Sequence, residues 1–131
     1  MKIKSLILIH LSLLICFDLC AEQSLENQML GEWMLDLRPT PEAESYFMPF
    51  KITEVDGKTF KGVFYGTEFE DGIINNIWGE IHFAFTTADG RSSYHHSGTV
   101  YGEQIKGRTH APGRQMLSVW TGNRTRSKST Q

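Results

Sequence analysis

The chain is short of cysteine, of positive charge and of long apolar runs, and each shortage removes a class of protein. Its two cysteines, Cys16 and Cys20, both fall within the first 21 of 131 residues. Lys2 and Lys4 open that stretch, Leu6 to Phe17 is apolar apart from His10 and Ser12, and small residues follow at Cys20-Ala21. The apolar run is too short for a membrane span and has the layout of a signal peptide. Residues 1–21 are therefore expected to form an export leader cut near Ala21, giving a secreted or periplasmic protein. Cleavage before Cys20 would instead leave a lipoprotein anchor, an alternative that Asp18-Leu19 fits poorly. With the leader gone no thiol remains, which excludes disulfides, cysteine metal ligands and thiol redox chemistry. Packing alone must hold the domain together.

Charge excludes a further class. Of 13 Lys and Arg and 15 Asp and Glu, the leader takes Lys2, Lys4 and Asp18, so the mature net charge is −3. A nucleic-acid binder needs a basic face, and none is expected here. Arg124, Arg126 and Lys128 form a small basic end, but residues 125–131 are rich in Ser and Thr and read as a flexible tail. The roughly 110 residues after Ala21 suffice for one core and one domain, placed at 22–124.

Sustained helical periodicity is also missing after Ala21, apart from a polar segment, Glu22 to Met29, that has room for one turn of helix. What recurs instead is period-2 alternation between turn signals, the mark of an all-β chain. Strands are expected at Leu30–Leu37, Tyr46–Val55, Thr59–Tyr65, Ile73–Trp78, Glu80–Thr87, Ser92–Val100, Gln104–His110 and Gln115–Thr121. Asp56-Gly57 reads as a type I′ hairpin turn, and Asp71-Gly72 as a break between strands. Eight strands joined by short turns predict an antiparallel meander, closed as a β-barrel or open as two packed sheets. Closure hides the edges, which suits strands with few protective lysines and prolines. Gly62, Gly98 and Gly107 lie within strands, where a small barrel coils sharply.

Leu30-Gly31-Glu32-Trp33 resembles the Gly-x-Trp opening of calycin barrels, the group of lipocalins, fatty-acid-binding proteins and avidin-like proteins. Ser118-Val119-Trp120-Thr121-Gly122-Asn123-Arg124 is similar to their closing strand. The resemblance extends to small exported bacterial domains of lipocalin-like type through Ser97-Gly98-Thr99-Val100, Gly102 to Thr109, and Trp120 to Arg124. It implies an eight-stranded lipocalin-like meander barrel in which Gly31, Trp33, Trp120 and Arg124 are structural and close the barrel. A guanidinium over an indole gains cation–π energy and can cap backbone carbonyls at the closed end. The chain lacks the lipocalin disulfide cysteines and long first loop, and no biotin-holding residues can be assigned.

Catalytic signals are scarce. No Gly-x-Ser-x-Gly elbow surrounds any serine, and the carboxylate groups at Glu42 and Glu44 or Glu68 to Asp71 read as solvated loop charge. Tyr94 and His96 share a strand face, whereas His95 and His96 point to opposite faces. A metal site would require His82, His96 and His110 to converge without any motif spacing, so neither a metal nor another cofactor is expected. The chain is therefore read as a non-enzyme. Aromatic residues carry more: Phe60 with Phe64, Phe83 with Phe85, and Trp78 with Trp120 either fill a small barrel or line a pocket in it. The expected function is binding of a small apolar or amphipathic molecule in or at the mouth of the barrel, through Phe64, Trp78, Phe83, Phe85, Tyr94 and Arg108. Arg108 and Arg114 are candidates to receive a carboxylate there. The alternative is an interaction protein of the cell envelope with a solid barrel, contacting a partner through loops such as residues 38–45.

Overall fold

The computed structural model describes residues 24–125; the expected leader and residues 126–131 of the expected tail lie outside the described residues. The polar segment before the sheet contains a short helix, α1 (Leu25–Met29), whose N-cap Ser24 side chain accepts the Asn27 N–H at 3.2 Å. Eight strands follow: β1 (Gly31–Asp36), β2 (Phe47–Asp56), β3 (Thr59–Phe64), β4 (Thr67–Asn75), β5 (Ile81–Ala88), β6 (Ser93–Tyr101), β7 (Gln104–Ala111) and β8 (Met116–Arg124). Each pairs antiparallel with the next, and β8 returns to β1 with Trp33 opposite Arg124. The result is a closed meander barrel, which decides between the two architectures left open above.

Two local expectations are corrected. Gly57 and Lys58 form the two-residue β2–β3 loop, and only Gly57 has positive φ (59°), the pattern of a type II′ turn rather than I′. The I′ pattern belongs to Tyr65-Gly66 between β3 and β4, with φ of 51° and 77°. Asp71-Gly72 is not a break but lies inside β4, which begins six residues earlier than expected, at Thr67. Gly72 serves a close approach: a Cβ there would stand 2.4 Å from the Phe60 carbonyl oxygen. A register shift beside it switches the inward residues of β4 from Phe69 to Gly72 and Ile74. The same strand stops at Asn75, not at Trp78, because the Asn75 carboxamide accepts the Ile77 N–H at 3.2 Å and turns the chain.

Six phenylalanines (50, 60, 64, 69, 83 and 85) and two tryptophans (33 and 120) fill the interior. Glycines on the inner face make room for them. A Cβ on Gly107 would meet the Trp120 ring at 2.2 Å, and one on Gly98 would meet the Phe83 ring at 2.7 Å. Phe69 stacks on Phe85 at 4.1 Å between centroids, and Phe85 on Phe50 at 5.3 Å. Burying one such side chain stabilises the fold by about 2–3 kcal/mol, and among the described residues, which include no cysteine, this ring packing replaces covalent staples.

The two ends differ. At one end α1 packs against β2, and Trp33 donates its indole N–H to the Met29 carbonyl at 3.1 Å. The Arg124 guanidinium lies 4.2 Å from the Trp33 ring and donates to the carbonyls of Leu30 (2.5 Å) and Gln28. Gly31 makes this possible, since its φ of 119° is strained for any other residue and a Cβ would stand 3.3 Å from the Arg124 Nη1. That end is shut. The opposite end carries the β1–β2, β3–β4, β5–β6 and β7–β8 loops and is where the ring packing stops.

Candidate functional site

Inward positions turn polar toward the loop end: Thr87 follows Phe85 on β5, Tyr94 precedes His96 on β6, and Ser118 precedes Trp120 on β8. Here a cavity of about 460 Å³ opens to solvent. Phe64, Trp120, His96 and Thr109 line its deep part, and Leu37 and Met116 its sides. This volume lies within the usual range for small-molecule sites.

His96 is the central group. Its ring sits 4.2 Å from Phe64 and 4.6 Å from Phe85, nearly parallel to the latter. Burial, reinforced by the neighbouring His95, pushes its pKa down to about 4, so it is neutral at pH 7. Nε2 is 2.8 Å from the Thr87 hydroxyl and Nδ1 is 2.8 Å from that of Thr109. Thr109 Oγ1 in turn accepts the Trp120 indole N–H at 3.1 Å. Four side chains on β5, β6, β7 and β8 thus form one hydrogen-bonded line across the interior.

The rim is tied by its own contacts. Tyr94 donates to Asp89 at 2.7 Å, and the backbone N–H groups of Arg91 and Ser92 donate to the same carboxylate at 3.0 Å each. These bonds, led by Tyr94, hold the Asp89 pKa at about 2, and the carboxylate raises that of Tyr94. Arg114 stands 3.9 Å from Asp89 and 5.8 Å from the Tyr94 ring centroid. Across the mouth, the Tyr46 and Tyr65 hydroxyls meet at 2.7 Å, which raises the Tyr65 pKa. The only charges lining the cavity, Asp89 and Arg114, therefore face each other.

The residues singled out from the sequence divide. Phe64 and Tyr94 line the cavity, and Phe85 lies beneath it against His96. Phe83 is deeper still, in the packed interior. Trp78 is 79 % exposed in the β4–β5 loop at the shut end, and Arg108 lies on the outer face because its neighbours Gly107 and Thr109 take the inner one. Of the group assigned to closure, Gly31, Trp33 and Arg124 meet at the shut end, whereas Trp120 reaches the cavity. His82, His96 and His110 do not converge: His96 points inward, His82 contacts Thr99 and Glu80, and His110 is exposed. Among the described residues no three side chains are placed to hold a metal ion. Sequence reasoning missed Tyr46, Tyr65, Thr87, Thr109 and Ser118. The one available signal was on β5, where Thr87 ends the inward apolar series Ile81, Phe83 and Phe85; on β7 and β8 the inward series runs on past Thr109 and Ser118 to Ala111 and Met116.

No family model matches the chain, and no curated protein or solved structure matches it either.

Proposed function

We propose that this protein is an exported, non-catalytic, lipocalin-like barrel that binds one small, partly apolar molecule at its open end. The observation that carries this reading is the contrast between the two halves of the interior. One half is solid with rings, whereas the other holds a cavity of about 460 Å³ with an apolar floor and a hydrogen-bonded centre. Side chains that served folding alone would extend the ring packing to the mouth, and an inward Thr–His–Thr line would bring polar groups into a core at a cost. Native mass spectrometry of protein purified gently from its own host, followed by solvent extraction, tests the reading. A bound small molecule is expected on the native protein and is expected to be missing from Ser118→Phe, which fills the cavity. Wild-type protein that carries no molecule and takes up no neutral hydrophobic dye would contradict it.

A second reading, docking of an envelope protein on the β1–β2 loop, is favoured by how firmly that loop is held. The Asp36 carboxylate binds the Arg38 guanidinium and accepts the backbone N–H groups of Arg38 and Tyr46 at 3.1 Å each, while Arg38 reaches Ser45 at 2.5 Å. Crosslinking from residues 40–44 in intact cells would then yield one dominant partner.

A further inference from the structure

The line Trp120–Thr109–His96–Thr87 has a direction. An indole N–H only donates, so the Thr109 oxygen is an acceptor at 3.1 Å. The buried Thr109 hydroxyl must then place its own proton, and His96 Nδ1 at 2.8 Å takes it. The neutral imidazole consequently carries its proton on Nε2 and donates it to the Thr87 oxygen at 2.8 Å. The reverse direction would leave the Thr109 proton buried without an acceptor, a cost of about 1–3 kcal/mol. Every link is used except the last. The Thr87 hydroxyl proton is left over, and Thr87 lines the cavity.

We infer that the site takes an uncharged, partly apolar molecule bearing a hydrogen-bond acceptor, such as an aryl ketone, with the acceptor oxygen on the Thr87 hydroxyl and the apolar part among Phe64, Leu37 and Met116. This rests on the reading of the cavity as a ligand site and adds the chemistry that the site selects. Charge points the same way. Arg114, the only cation in the lining, faces Asp89 at 3.9 Å and stands over Tyr94. A ligand carboxylate would have to compete with Asp89 for it, while a ligand cation would be repelled by the Thr87 hydroxyl proton. The relay also makes Thr87 a better donor than an isolated hydroxyl, since each bond in a chain polarises the next.

Calorimetric titration at pH 7 with 2-acetylnaphthalene, naphthalene and 2-naphthoate tests this, because the three share a ring and differ only in the group offered to Thr87. The ketone is expected to bind at least tenfold more tightly than either of the others. Thr87→Val should lower ketone affinity to that of naphthalene while leaving naphthalene unchanged, and Thr87→Ser should restore the preference. Equal binding of ketone and naphthalene, or tighter binding of the naphthoate, would overturn the inference while leaving the cavity a ligand site. Failure of all three compounds to bind wild-type protein would overturn both.

Discussion

His96 combines full engagement by hydrogen bonds with a position that disfavours its charged form. Its pKa falls from 6.5 to about 4 in the folded protein. Between those values the unfolded chain binds more protons, so acid favours unfolding and stability drops as pH falls from 6.5 toward 4. The loss attributable to this residue is about 2–3 kcal/mol. Urea denaturation at pH 7 and pH 4.5 checks it: the decline should be shallower in His96→Asn by that amount, whereas parallel profiles would remove His96 as the cause. Asp89 contributes in the same direction at lower pH, because the stabilisation from its depressed pKa is lost progressively as pH falls from 3.8 toward 2. Gly107 makes a steric prediction at the same scale. Gly107→Ala puts a methyl group 2.2 Å from Trp120 and 2.7 Å from the Ser97 carbonyl, and should cost about 2 kcal/mol or more in a denaturant titration.

Among the elements, β4 and β5 form the least regular pair. Backbone pairing covers only Ile73–Asn75 against His82–Ala84, and above it the Asp71 carboxylate takes the place of a strand carbonyl, accepting the Thr86 N–H at 3.0 Å and binding the Thr86 hydroxyl. In Asp71→Ala the Thr86 amide should exchange with deuterium at least tenfold faster, while that of Gly98, central in the regular β5–β6–β7 pairing, stays slow. Equal rates at Thr86 in wild type and variant would contradict this role. The seam also shows which elements the sequence could reveal. Alternation and turn residues placed seven of the eight strands within a few residues, because each has one buried and one exposed face. β4 escaped because Gly72 was read as a turn residue when its role is contact with Phe60, and because the bulge beside it breaks the alternation. The site was legible only in part for a related reason. Phe64 and Tyr94 stand out as rings on inward positions, but Thr87, Thr109 and Ser118 become functional candidates only once barrel closure brings β5, β7 and β8 around one opening. Trp78 shows the converse: a large ring at the end of the expected strand Ile73–Trp78 reads as filling or lining the barrel, and a single Asx turn at Asn75 ends the strand early and puts it outside.

The whole molecule divides along its axis into a shut, ring-filled end and an open, polar-lined one. The shut end supplies stability by ring packing, in a described chain that contains no cysteine, and the wall it supports fixes Thr87 and Thr109 at the mouth, an arrangement that under the proposed function is set before a ligand arrives. Such preorganisation limits the ordering cost of binding. A ligand at a hundred times its dissociation constant should add about 2.7 kcal/mol to unfolding stability, seen as a melting temperature several degrees higher. The most direct test of the account is a map of backbone amide shifts, by two-dimensional NMR, as 2-acetylnaphthalene is added to wild-type protein at pH 7. Perturbations are expected to concentrate at Tyr65, Thr87, Tyr94, Thr109 and Ser118, with Gly31, Trp78 and Ile105 unmoved and with the effect abolished in Ser118→Phe. Shifts confined to the shut end or the outer face, or no shifts at saturating ligand, would contradict it.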